Sequence, residues 1–156
     1  MLKQLGRLNL DLDDRYATDQ ELQFLEDYLN SAEKRISAYE KVRNQEESII
    51  EDWESQKRAM QEDLFHMAGR DITEICQRDM TDILRCSAAA MLVGDLDKLR
   101  DGLLIWYRTI VTSFGYTQYA KRNYKIIQDV IKLYLSEEET AVMLPALQLD
   151  HTIVSS

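Results

Sequence analysis

Residues 71–95 read DITEICQRDMTDILRCSAAAMLVGD. Within them Ile72, Ile75, Cys76, Met80, Ile83, Leu84, Ala88, Met91 and Leu92 recur at steps of one, three and four, the return period of one helix face, so the spacing predicts a helix over 71–93. Gly94 supplies the stop, because glycine enters the left-handed conformation that closes a helix C-terminus. The small residues 87–90 allow a neighbouring helix to approach closely. Cys76 and Asp79, three apart, share a face, while Arg78 projects sideways.

The same periodicity extends to both sides. Upstream, 2–16 places Leu5, Leu8 and Leu12 among polar residues, and Thr18 or Asp19 caps a longer helix with Leu22, Leu25, Leu29, Ala32, Ile36 and Tyr39 on one stripe over 19–44. A helix over 46–67 sets Ile49, Ile50, Trp53, Met60, Leu64 and Met67 on one side and is expected to end at Gly69. Downstream, Leu99, Leu103, Trp106, Tyr107, Ile110 and Phe114 mark a helix running to Gly115, and Tyr119, Ile126, Ile127, Val130, Ile131 and Tyr134 mark another. Ser136 with Glu139 makes a capping box for a last segment, which Pro145 is expected to kink or shorten.

Composition agrees. The 156 residues contain five glycines and one proline, so long uninterrupted helices and an all-α class are expected, and 45% hydrophobic content suffices for one core. A formal charge of −9 argues against nucleic acid and anionic membrane surfaces, whose affinity comes from clustered Lys and Arg. No apolar run approaches the roughly 20 residues of a membrane span. The first residues lack the apolar block of a signal peptide, so a cytoplasmic protein is expected. Cys76 and Cys86 are the two cysteines. Ten residues apart on one helix, they stand about 15 Å apart and cannot bridge each other, and Cys86 among small residues is read as a buried packing residue.

In one frame this region gives Cys76-x-Arg78-Asp79, then Leu84-Arg85, then Gly94-Asp95. That pattern resembles the chromophore helix of the phycobiliproteins, the bilin-carrying subunits of light-harvesting antennae. The resemblance implies a globin-like helical bundle with an N-terminal helical hairpin extension, in one domain over 1–156: hairpin at about 1–45, core at about 46–156. It implies a thioether from Cys76 to an open-chain tetrapyrrole, phycocyanobilin-like, with Asp79 facing the pyrrole nitrogens and Arg78 meeting a propionate. A carboxylate beside pyrrole N–H groups favours their protonated form. It further implies that Asp11 and Tyr16 meet an arginine of a partner subunit, and that Arg85 occupies that arginine's place. The expected partners are an identical or related subunit in a dimer, and antenna or linker proteins, at the surface of the thylakoid membrane without entering it.

Several positions depart from the family pattern. Asp71 and Ile72 stand where β-type subunits carry basic residues, with Arg70 one place early; His66 replaces an asparagine ten before the cysteine; Asp82 and Ile83 replace aromatics; and a glycine-rich loop is missing. These losses favour an alternative in which the fold and pairing surface are kept and the pigment is not, the protein acting in antenna assembly, turnover or regulation. A third reading is a globin-fold sensor binding a bilin or another hydrophobic ligand without a thioether.

Taken alone, a cysteine on an apolar face is a small core residue, and Arg78, Asp79 and Arg85 form ordinary ion pairs. His66 and His151 have no partner at metal-ligand spacing, acidic runs such as 137–139 lie at helix starts, and no phosphate loop or nucleophile elbow is present. An enzyme reading has no residues to rest on.

Overall fold

Thr18 and Ser136 each stand three residues ahead of a glutamate, and both open a helix with a reciprocal cap: the hydroxyl accepts from the glutamate N–H and the glutamate accepts from the cap N–H. The computed structural model describes residues 2–12, 14–60, 65–67 and 69–156. Its elements in chain order are α1 (Leu2–Asp11), α2 (Asp19–Asn30), α3 (Ala32–Asn44), α4 (Glu46–Met60), β1 (His66–Met67), β2 (Arg70–Asp71), α5 (Thr73–Val93), α6 (Leu96–Leu99), a π-helical stretch (Arg100–Leu104), α7 (Ile105–Ser113), α8 (Thr117–Tyr134) and α9 (Glu137–Val154). Helix dominates, as the composition requires.

The core is one cluster. α8 and α9 lie along each other, α9 also packs on α5 and α3, and α4 packs on α8. Trp53, Ile49, Leu84, Leu104, Ile131, Met143 and Leu147 are fully buried where these faces meet. The result is an all-α, globin-like bundle. α2 buries no residue completely, and Leu10, Tyr16, Leu29 and Ile36 stay exposed, so the N-terminal extension carries an apolar stripe that the chain's own fold leaves unfinished.

Arg35 ties this extension to the core. Its guanidinium lies 3.6 Å from the centroid of the Tyr28 ring, donates to the Tyr28 carbonyl at 2.6 Å and to the Leu92 carbonyl at 2.6 Å, and is almost fully buried. Ser31 Oγ also donates to Tyr28 O. With that carbonyl held by side chains, the stripe expected as one helix over 19–44 divides at Ser31 into α2 and α3.

Four other expectations change. α4 ends at Met60 and does not reach Met67; Phe65 instead turns inward, edge-on to Trp53 with centroids 6.0 Å apart, and Ile72 N–H donates to Phe65 O at 2.8 Å. β1 and β2 pair antiparallel, so Gly69 (φ 76°) serves a tight return and not a helix end. Leu64, Asp63 and the side chain of Met67 lie outside the described residues. Pro145 does not interrupt α9, because it sits on the exposed side, where the carbonyl deprived of its donor can meet water. Cys86 is exposed, since α5 turns Ser87, Ala88, Ala90 and Met91 inward and leaves Cys86, Ala89 and Val93 outside. The helix expected up to Gly115 is α6, the π-helical stretch and α7 in succession. Gly94 does close α5, with φ 64° and its N–H directed to Ala90 O and Met91 O.

Candidate functional site

α5 crosses the bundle with Cys76, Asp79, Met80 and Ile83 on one face, and that face forms a wall of a cavity of about 210 Å³. Tyr107 and Val111 of α7 line the facing side, Tyr116 stands at the turn into α8, and Asn123 and Tyr124 come from α8. Phe114 and Ile75, both substantially exposed, belong to the lining as well, so the cavity is open on their side. The interior is mainly aliphatic and aromatic, with few polar atoms.

Those polar atoms are arranged around the cysteine. Cys76 is half-buried, with Sγ 3.8 Å from the Tyr116 hydroxyl. Tyr107 Oη donates to Asp79 Oδ2 at 3.4 Å. Burial, followed by the charge of Asp79, pushes the Tyr107 phenol well above its ordinary range, and burial followed by Cys76 does the same to Tyr116. Both phenols therefore remain protonated donors at any physiological pH. Asn123 is held from behind, its backbone carbonyl accepting from Trp53 Nε1 at 3.3 Å, and its buried Oδ1 has no partner among the described residues.

Arg78 is largely exposed at the rim and turns back onto Asp79, donating from Nε and Nη2 to Oδ1 at 3.1 and 2.9 Å. The structure thus brings Cys76 and Asp79 to one cavity and keeps Arg78 outside it as Asp79's counter-charge. Asp71 accepts from Thr73 N–H at 2.8 Å at the start of α5, and Ile72 is buried in the cavity wall, so neither supplies a cation. The cavity thus offers a ligand aromatic walls, a thiol, the Asp79 carboxylate and the Asn123 oxygen that has no partner among the described residues.

A family model described as phycobilisome protein matches residues 8–154. The chain belongs to the phycobilisome protein family. Among its curated relatives, the allophycocyanin subunit beta-18 of Aglaothamnion neglectum is 25% identical over 141 residues, covering 85% of this chain and 81% of that one. The allophycocyanin alpha-B chain of Pyropia yezoensis is 30% identical over 112 residues, covering 69% of this chain and 70% of that one.

The residues expected at a subunit interface lie on the surface. Tyr16 is 97% exposed, Asp11 is exposed, and Arg85 forms a bidentate pair with Glu46 at 2.6 and 2.7 Å. An incoming carboxylate would have to share or displace Glu46. Among the described residues no group of three metal-ligating side chains occurs, and no helix is long and apolar enough to cross a membrane.

Four side chains escaped the sequence reading of the site: Tyr107, Tyr116 and Asn123 in the cavity lining, and Lys57 behind Tyr116. Only Lys57 left a clear signal, since it falls four residues after Trp53 on the stripe that α4 turns inward, an unusual place for a charge.

Proposed function

We propose that this protein is a light-harvesting subunit that carries an open-chain tetrapyrrole on Cys76, and that it pairs with a related or identical subunit within an antenna on the thylakoid surface. The observation that carries the reading is the half-buried thiol in the wall of an aromatic cavity, with Asp79 on the same helix face.

When bound, the tetrapyrrole supplies visible absorption. The protein's own residues attach, orient and shield it. Cys76 Sγ is the attachment atom, and Asp79 accepts from pyrrole N–H groups, giving up Arg78 and the weak bond from Tyr107. Arg78, released at the rim, is free to pair with a propionate, a bidentate acceptor suited to guanidinium. Asn123 Oδ1 is a second acceptor for an N–H. Tyr107, Tyr116 and Val111 would line its site and exclude water from it. In pairing, the exposed stripe of Leu10, Tyr16, Leu29 and Ile36 is covered by the partner, whose own counterpart of Arg85 meets Asp11 and Tyr16.

The test is production together with a bilin-making pathway, followed by an absorbance spectrum and a zinc-stained denaturing gel, beside Cys76→Ala. A coloured band lost in Cys76→Ala is expected. Colour in neither protein would overturn the reading. A second reading then applies: a pigment-free interaction protein of the antenna, favoured by the closed Arg78–Asp79 pair and by Asp71 and Ile72 where cations are expected, and checked by binding of the colourless protein to antenna subunits.

A further inference from the structure

Asn123 lies on the inward stripe of α8, between Ala120 and Ile127, and is buried in the wall of the aromatic cavity. A buried amide costs stability unless both of its ends are paired, so packing alone would be better served by Leu. The bundle nonetheless fixes this residue in place. Trp53 Nε1 donates to its backbone carbonyl at 3.3 Å, and its side chain hydrogen-bonds the Tyr116 hydroxyl, drawing that phenol back against the upward push of burial. A hydrogen bond that lowers a phenol is one that the phenol oxygen accepts, so Nδ2 is the end turned to Tyr116 and Oδ1 is the end left over.

Oδ1 is buried and has no partner among the described residues. The other acceptor in the cavity wall, Asp79, is already engaged: its Oδ1 takes two bonds from Arg78 and its Oδ2 one from Tyr107. The remaining lining is mainly aliphatic and aromatic. At about 210 Å³ the cavity exceeds the roughly 150 Å³ that accepts benzene, which leaves room for one or two fused rings.

We infer that Asn123 is the specificity-determining residue of this cavity, its Oδ1 selecting a flat group of one or two rings that carries a ring N–H. Leaving a buried acceptor unpaired is costly, so a group of the same shape without the N–H is turned away, whereas Leu at this position accepts both. The inference deepens the proposed function and rests on its reading of the cavity as the ligand site, but makes no use of the thioether.

Indole and benzofuran share one shape, benzofuran has an ether oxygen in place of the N–H, and neither reacts with a thiol. Each is titrated into the colourless protein and Kd is read by saturation-transfer NMR. Indole is expected to bind about tenfold more tightly than benzofuran. Asn123→Leu, verified as folded by circular dichroism, should remove that preference while binding benzofuran at least as tightly as the parent does; Asn123→Ala takes its place should it fail to fold. Equal affinities in the parent, or no binding of either probe, would overturn the inference whether or not the variants fold. So would a preference that survives in the folded variant, or the loss of both probes from it. An Asn123-dependent preference for indole in a protein that stays colourless with bilin supports the inference and overturns the pigment reading. Colour on Cys76 in a protein that binds indole and benzofuran alike overturns the inference alone.

Discussion

Asp150 is fully buried on α9, where Ser87 Oγ of α5 donates to its Oδ2 at 2.7 Å while Oδ1 has no partner among the described residues. Burial pushes its carboxyl up to about 7, opposed only by the Ser87 hydroxyl. The folded state therefore holds a proton that the unfolded state has released, and stability must fall as pH rises from about 4 to about 7. From an ordinary value of 3.8 to about 7, at about 1.4 kcal/mol per unit, the loss is about 4 kcal/mol. Asp150→Asn removes the charge and keeps the acceptor for Ser87, but buries an amide with an unmet donor, costing about 1–2 kcal/mol. The variant should be about 1–2 kcal/mol less stable than the parent at pH 4 and about 2–3 kcal/mol more stable at pH 8. Urea unfolding at one-unit intervals between these limits, followed by circular dichroism, measures the difference curve, in which titrations shared by both proteins, such as that of His151, cancel. A difference that stays flat within about 1 kcal/mol, or that has one sign throughout, would refute the reasoning.

Further predictions concern other buried contacts. Lys57 is held below its ordinary value, so the folded state binds fewer protons between about 8 and 10.5 and stability should rise with pH there; Lys57→Met should abolish that rise and add roughly 1–3 kcal/mol at pH 7, read by urea titration at pH 7 and pH 10. Arg35→Ala removes the bonds to the Tyr28 and Leu92 carbonyls and should cost about 3 kcal/mol, with faster hydrogen exchange across α2. Gly94→Ala must adopt φ 64° and place a Cβ 3.0 Å from the Tyr28 ring, lowering the thermal midpoint by several degrees in calorimetry, as a loss of about 1–2 kcal/mol requires. Ser136→Ala loses one half of the α9 cap and should cost about 1 kcal/mol in urea unfolding.

The parts of the fold legible in the sequence are those set by local period and capping. The 72–92 stripe, the Gly94 stop and the Ser136 box each depend on residues a few positions apart, and each forms as read. The return of the chain at 65–72 was not legible, because it depends on Phe65 meeting Trp53, a tertiary contact that outweighs the helical pattern continuing through Met60. The direction of Cys86 was missed because a run of small residues has no apolar face of its own, and the packing of α9 on α5 decides which of them turn inward. At the site, the three-residue spacing of Cys76 and Asp79 announces a shared face. The pairing of Arg78 with Asp79 does not follow from spacing, since adjacent residues do not share a helix face. Lys57 and Asn123 come from helices far away in the chain, and only the assembled bundle sets Asn123 in the cavity wall and Lys57 against Phe65 and Tyr116.

The central claim is a pigment on one particular thiol, and trypsin separates the two cysteines. Cleavage after Arg70 and Arg78 releases 71–78 with Cys76, and cleavage after Arg85 and Lys98 releases 86–98 with Cys86. Peptide mapping of the protein produced with a bilin pathway, monitored by visible absorbance and mass, should find the colour and the added mass on 71–78 alone. Colour on 86–98, or an unmodified 71–78 peptide from a coloured or colourless protein, would contradict the account.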